Sequence, residues 1–328
     1  MTKALVTGGT GFIGSHMVEL LLAERWQVVC PVRNPKNLRN LEGLRVDIIQ
    51  FDRLEKEIGL IQDIDYVFHI GGATRAVNFD DYRSANVDFT RMLLEFFASP
   101  ISNQLLKRFV LVSSQACVGP SPDTGDAVTE EHSPSPVSMY GRSKLEAEKI
   151  AAKFMDVLPV TIVRPPTVFG PRDTDVLGIF KCACYRFAPC IAGPDRLVSI
   201  IYVEDLVRGI LAAARSDSAR GNTYFLSNPE PVVWREFALR IARVMGCRAV
   251  ILPVPVSIMK LVSLAGDFAG RITGEPSLLR MEKFEEMKQL AWVCSADKAL
   301  KELDWSPDTP LDKAIEETAK WYVDHGWI

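Results

Sequence analysis

Residues 3–16, KALVTGGTGFIGSH, constrain this chain more than any other stretch. An apolar, β-rich run ends at residue 7, glycines stand at 8, 11 and 14, and a helical pattern opens near Phe12. A strand, a tight turn and a helix N-terminus in immediate succession let backbone amides hold a pyrophosphate. The glycines permit the turn, let the chain approach the phosphates, and let the helix pack on the strand. Glycines alone are a weak signal; the strand before and the helix after are the context the motif requires.

The same alternation continues. KALVT, QVVCPV, VDIIQF, YVFHI, FVLVSS and VTIVRP are short β-rich runs, with helical patterns such as FIGSHMVELLLAE and YRSANVDFTRMLLEFFAS between most of them. Alternating strands and helices predict a parallel sheet with helices on both faces. Beyond about residue 170, Pro-rich punctuation separates helical pieces, including VVWREFALRIARVMG and LDKAIEETAKWYVDHG. The expected organisation is a dinucleotide-binding domain over 1–170, with 198–227 returning to it. A smaller, mostly helical substrate lobe takes 171–197 and 228–328.

Composition excludes several classes. The formal net charge of −3 gives no electrostatic footprint for nucleic acid. No apolar stretch reaches the roughly 20 residues that span a bilayer; the longest candidate, VPVSIMKLVSLAG, carries Lys260. The helix expected over 255–269 has on its polar face little of the Lys and Arg that interfacial anchors usually show, so stable membrane insertion is not expected. The N-terminus has no signal pattern and the seven cysteines are odd in number and scattered, which reads as reduced thiols in a cytoplasm. Neither the four histidines nor Cys182, Cys184 and Cys190 make a metal set; these three read as buried thiols.

The TGxxGxxG spacing resembles the extended short-chain dehydrogenases/reductases. That family includes nucleotide-sugar epimerases and dehydratases, dihydroflavonol-type reductases and hydroxysteroid dehydrogenases. The resemblance also rests on HIGGA at 69–73, Asn86, VSSQ at 112–115, YGRSK at 140–144, RPPTVFGPR at 164–172 and YVEDL at 202–206, and so covers nearly the whole chain. It implies an α/β fold, a Rossmann-type doubly wound parallel sheet with the helical lobe appended. It implies cofactor contacts from Gly8, Thr10, Gly11, Phe12, Ile13 and Gly14 at the turn, and from Asp52 with its neighbour Arg53 near the adenine. Further along it implies Gly71, Ala73, Asn86, Ser113, Pro165, Thr167 and Val168.

Arg33 carries the choice of cofactor. An acid about 20 residues after the glycines usually grips a free ribose 2′-OH. Here Arg33 stands at that strand end, followed by Asn34 and Lys36. A guanidinium complements a 2′-phosphate by charge and by its planar fork of donors, so NADP is favoured over NAD. Tyr140 and Lys144 are four apart, on one face of a helix. A free phenol has a pKa of about 10, and a nearby ammonium would draw it toward the working range. By resemblance, Tyr140 exchanges the proton with the substrate oxygen, Lys144 also binds the nicotinamide ribose, and Ser114 hydrogen-bonds the reacting carbonyl. Gln115 either reaches the substrate or packs.

The branch of the family is read from departures. Sugar-nucleotide members usually carry Asn where Thr167 stands and a basic residue where Val198 and Ser199 stand, which weakens the case for a diphosphate. Arg172, Arg186 and Arg196 are left as substitutes. A dehydratase would want an acid beside the serine, where Gln115 and Ala116 stand. Phe180, Tyr185, Phe187, Ile258, Met259, Leu261 and Leu264 suit either an apolar ligand or an ordinary core. The expectation is an NAD(P)-dependent dehydrogenase/reductase of a small apolar alcohol/carbonyl pair. The alternative is a nucleotide-sugar epimerase or dehydratase with tightly bound NAD. The family commonly dimerises through helices near 83–98 and 140–156. Leu93, Leu94, Phe96, Phe97, Ile150 and Phe154 are the candidate homodimer face.

Overall fold

The computed structural model describes residues 1–50, 63–99, 106–122, 126–274, 277 and 280–328. Its strands are β1 (Lys3–Thr7), β2 (Gln27–Val32), β3 (Asp47–Gln50), β4 (Tyr66–His69), β5 (Arg108–Val112), β6 (Val160–Arg164), β7 (Thr167–Phe169), β8 (Phe187–Ile191), β9 (Leu197–Val198), β10 (Ile200–Tyr202), β11 (Thr223–Phe225), β12 (Val232–Val233), β13 (Val250–Val254) and β14 (Ala291–Trp292). Seven of them form one sheet in the order β11-β6-β5-β4-β1-β2-β3, every neighbouring pair parallel. The order reverses at β1, between β4 and β2. That switch point opens a crevice at the carboxyl ends of the strands.

Period-two alternation sorts each strand's side chains between two cores. Ala4, Val6, Val28, Cys30, Val110 and Val112 face α1 (Phe12–Ala23). Leu5, Val29, Phe109 and Leu111 face the opposite layer, which holds α3 (Phe89–Ala98) and α4 (Met139–Ala152). Between β4 and α3 the chain forms a short α2 (Phe79–Tyr82) and then a π-helical stretch, Arg83–Asp88. Leu93, Leu94, Phe97 and Ile150, expected as a dimer face, are buried in the chain's own core, with Phe96 and Phe154 half-buried beside it. The sheet supplies their apolar partner.

The lobe has its own core. Phe180 of α5 (Leu177–Cys184), Tyr202, Phe237 of α7 (Trp234–Val244), and Ile315 and Tyr322 of α11 (Leu311–Asp324) meet in it. α6 (Val203–Arg215) packs instead on the α1 face of the main sheet, and β11 supplies that sheet's edge strand. The lobe is less purely helical than expected: β9 pairs with β12 and β14, and β8 pairs with β13 as a parallel ribbon. The remaining helices are α8 (Val256–Thr273), α9 (Met281–Met287) and α10 (Asp297–Glu302). No helix among the described residues is long and apolar enough to cross a membrane. Cys190 is buried, but Cys182 is half-buried and Cys184 exposed, because the end of α5 turns outward; no metal-binding group occurs among the described residues.

Gly14 sets the tightest contact of the fold. A Cβ there would lie 2.0 Å from the Gly8 carbonyl oxygen, and neither atom belongs to a flexible side chain. Gly14→Ala is expected to lose far more than the roughly 1 kcal/mol that alanine gains in a helix. The outcome is insoluble protein or a sharply lowered melting temperature, read by thermal denaturation.

Candidate functional site

The turn after β1 is built for an anion. Gly8 has a φ of +71, and a Cβ on it would lie 2.7 Å from Gly71 Cα, so β1 and β4 end against each other backbone to backbone. Gly11 N–H donates to Gly8 O at 2.8 Å. Gly11 is also the N-cap of α1, whose first turn has neither a side-chain cap nor an acid. The uncapped amides of that turn carry the positive end of the helix dipole. Gly11 itself is exposed, and its Cβ would meet only Gly8 O at 3.2 Å. The chain therefore leaves open the close approach a pyrophosphate needs. Asn40 Nδ2 holds the turn by donating to Thr10 O at 2.9 Å. Phe12, Ile13 and Val168 pack at the rim of the lobe core. Arg33 and Lys36 are exposed past the end of β2, and the Asn34 side chain accepts from Lys36 N–H at 3.0 Å. Asp52 and Arg53 lie outside the described residues.

A hydrogen-bond chain ties the second wall together. Gly71 N–H donates to Thr7 Oγ1 at 3.0 Å, and Thr7 Oγ1 lies 2.7 Å from His69 Nδ1. His69 Nε2 lies 2.8 Å from Thr90 Oγ1, which donates to Asn86 O at 2.6 Å. The two ends fix the polarity: Thr7 donates to Nδ1, and the proton sits on Nε2. Burial drives His69 down to about 3, with the Lys144 charge adding to it, so the ring is neutral. Asn86 then clasps residue 73 from both sides: Oδ1 accepts from Ala73 N–H at 2.7 Å and Nδ2 donates to Ala73 O at 3.0 Å. Its Nδ2 also donates to Ser143 Oγ at 2.8 Å. Asn86 thus shapes the 71–73 backbone rather than facing a ligand with its amide.

The structure brings Ser114, Tyr140 and Lys144 together. Ser138 caps α4 by accepting from Gly141 N–H at 3.0 Å, which starts the helix one residue before Tyr140. The Tyr140 ring is half-exposed while its hydroxyl is buried, hydrogen-bonded to Ser114. Lys144 reaches back and donates to Val112 O at 2.9 Å. The sequence led us to expect a lowered phenol pKa, and here burial overrides it. Desolvation pushes Tyr140 above the ordinary phenol range despite the Ser114 bond, with Glu286, Tyr82 and Cys117 adding to the rise. Tyr140 therefore holds its proton at neutral pH, the state that can donate to a carbonyl oxygen. Burial lowers Lys144 to about 8. Ser113, just past the end of β5, is buried beside Cys117, and the Gln115 Nε2 is buried without a hydrogen-bond partner among the described residues. Pro165 O accepts from Gln115 N–H at 2.9 Å, and Thr167 is half-buried in β7.

Two groups of supporting residues centre on acids that stand in no motif, Glu148 and Glu282. Glu148, one turn beyond Lys144, forms a buried bidentate pair with Arg164 at 2.7 and 3.0 Å and accepts from Cys117 Sγ at 3.0 Å. Glu282 comes from α9 of the lobe. Its Oε1 accepts from Tyr140 N–H at 2.6 Å, and its Oε2 accepts from Tyr82 Oη at 3.1 Å and pairs with Arg280 at 2.7 Å. Arg280 is 7% exposed and also bonds Tyr82 Oη and Ala76 O. A carboxylate thus completes the first turn of the catalytic-helix candidate from 142 residues away. A cavity of about 210 Å³ opens beside it, lined by Val77, Val137, Met139, Met281, Asp267 and Glu285 among others.

The three arginines left as diphosphate ligands do not converge here. Arg172 bonds Glu19 and Ser15 of α1, Arg196 donates to the carbonyls of Ile191, Pro194 and Met287, and Arg186 is exposed before the β8 ribbon.

Comparison with known proteins gives the family and the fold. Residues 4–226 match the model of a family described as the NAD dependent epimerase/dehydratase family. A ceramide reductase of Caulobacter vibrioides is 25% identical, with 98% of this chain and 95% of that one covered. A protein of Bacillus subtilis named an uncharacterized UDP-glucose epimerase is 27% identical over 84% of this chain and 87% of its own. A UDP-glucuronic acid 4-epimerase from Bacillus cereus, solved with UDP-glucuronic acid and NAD, superposes with a TM-score of 0.77 at 22% identity, covering 99% and 100% of the two chains.

Two outcomes are expected of the site. Glu282→Ala is expected to keep dinucleotide affinity and to lower kcat about tenfold, because Tyr140, the candidate general acid, loses orientation; steady-state kinetics with a separate cofactor titration checks this. Lys144→Met raises the melting temperature of the cofactor-free protein at pH 7 by about 2–6 °C. The folded value of about 8 lies below the ordinary 10.5, so the unfolded chain binds more protons between them. The lysine therefore costs stability below pH 8, and the gap between variant and wild type closes as pH rises toward 10.5. Melting curves across that range read it directly.

Proposed function

Because the chain belongs to the NAD dependent epimerase/dehydratase family, we propose that it works there as an NADP-dependent carbonyl reductase of a small apolar substrate. The observation that carries this reading is that the Arg172 guanidinium is taken up by Glu19 and Ser15 and the Arg196 guanidinium by main-chain carbonyls. A nucleotide sugar would need such cations for its diphosphate. The cavity beside Met139 exposes Val77, Val137 and Met281 between polar walls of Asp267, Arg280 and Glu285, which suits an apolar body carrying a polar group. Reductases are also among the relatives matched along nearly the whole chain.

A bound reduced nicotinamide would supply the hydride. The chain's own residues do the rest. The turn at 8–14 holds the pyrophosphate, the 71–73 backbone lies along the dinucleotide, and Lys144 holds the nicotinamide ribose. Ser114 and Tyr140 direct two hydroxyls at the substrate oxygen. Tyr140 gives its proton to the alkoxide as it forms, and Lys144 steadies the phenolate left behind. Arg33, with Lys36 nearby, receives the 2′-phosphate.

The likeness to epimerases supports a second reading, a redox-neutral enzyme with captive NAD. One experiment separates the two. The protein is purified, denatured, and any released dinucleotide is identified by mass. The reductase is expected to emerge largely empty and to bind NADPH more tightly than NADH. Arg33→Ala should then erase about tenfold of that preference. NAD released at near one per subunit would replace this reading with the epimerase.

A further inference from the structure

Seven apolar lobe residues suited either a ligand or a core, and most of them do neither. Phe180 is in the core, but Tyr185, Phe187, Ile258, Leu261 and Leu264 are exposed. Of the 17 exposed large hydrophobic side chains among the described residues, 11 lie in two short segments, 185–187 and 250–272. The concentration makes one patch rather than scattered surface residues.

The patch has a built geometry. In the β8–β13 ribbon, Phe187 pairs with Val250 and Pro189 with Leu252, so these side chains share a face. Phe187, Val250 and Leu252 are 51%, 69% and 49% exposed, while Ala188 and Cys190 on the other face are buried. Pro255 then leads directly into α8. That helix turns Ser263, Gly266, Asp267 and Gly270 inward, and it packs on α9. Leu261, Phe268 and Ile272 point outward at 67%, 68% and 71% exposed.

The surroundings are basic. Lys181, Arg186, Arg243, Arg248 and Lys260 are all exposed in or beside the two segments. The acid within them, Asp267, is half-buried, and its Oδ2 accepts from Met281 N–H at 3.3 Å. This local excess stands out in a chain of net charge −3. The sequence of the helix alone carries few of the cations of an interfacial anchor; the paired ends of the ribbon add Arg186, whose carbonyl accepts from Val250 N–H at 3.0 Å, and Arg248, two residues before Val250.

We propose that the β8–β13 ribbon and the outer face of α8 dock this protein on an anionic lipid surface. The apolar side chains enter the headgroup boundary and the basic ring meets the phosphates. Asp267 and Gly266, on the inner flank of the same helix, line the cavities beside Met139 and Arg280, so the docked face adjoins the candidate site. The proposal does not depend on which reaction that site runs.

The test uses the full chain and sedimentation with vesicles of phosphatidylcholine, with and without phosphatidylglycerol. Binding is expected to the mixed vesicles and to fall steeply with salt. The double variant Leu261→Glu/Phe268→Glu should lose about tenfold or more of it, and Arg248→Glu/Lys260→Glu should bind mixed vesicles no better than neutral ones. Melting temperature and NADPH binding of the variants, read in parallel, should match wild type because these side chains are exposed. Wild-type protein that stays in the supernatant with both vesicles overturns the proposal. So does a dimer in light scattering that the Leu261→Glu/Phe268→Glu variant splits, since a second copy would then cover the face.

Discussion

The site depends on a backbone contact with no room in it. The helix after β1 starts so close to the preceding turn that Gly14 presses on the Gly8 carbonyl, and Gly8 presses on Gly71. Three elements, β1, β4 and α1, thereby converge at one point of the sheet. Side chains cannot mediate a contact this close, so it has no soft mode by which the helix might drift. The consequence is a rigid ring of main-chain amides at the place where the strand order reverses.

Around this ring the polar groups divide into two kinds. Some spend their hydrogen bonds mainly on one another. His69 with Thr7 and Thr90, and Glu148 with Arg164 and Cys117, are buried and paired. They join strand ends to helices and hold the loop at 71–73 and the helix of Tyr140 in register. Others keep a polar atom in reserve: Ser114 and the Tyr140 hydroxyl at the cleft, Arg33 beyond β2. The first kind costs desolvation and returns geometry; the second is what a ligand could use. The phenol of Tyr140 belongs to both, since the burial that positions it also raises its pKa.

The strands, the parallel sheet and the glycine turn were legible because each rests on local periodicity: 3–7, 27–32 and 160–164 stand where the apolar runs lie. Tyr140 and Lys144 were legible for the same reason, being one helical turn apart. Glu282 was not, because its bond to Tyr140 N–H spans 142 residues and no spacing rule reaches that far. The dimer face was misread because amphipathicity shows that a helix buries one side, not what covers it; the sheet covers Leu93, Leu94 and Phe97. The cysteine cluster and the outward lobe residues failed likewise, since burial of a short segment is decided by tertiary neighbours.

The π-helical stretch at Arg83–Asp88 has a consequence of its own. It takes up an extra residue per turn between α2, which carries Tyr82, and α3, which fills the core. Each residue of an ordinary helix turns the chain by about 100°, so one surplus residue would rotate everything after it by that much. The wide turn absorbs the surplus locally: Asn86 stays clasped to Ala73 while the stripe of Leu93, Leu94 and Phe97 stays on the sheet. The segment thus acts as a phase adjuster, letting the site and the core each keep the helix face they need although the residues between them do not make up whole turns.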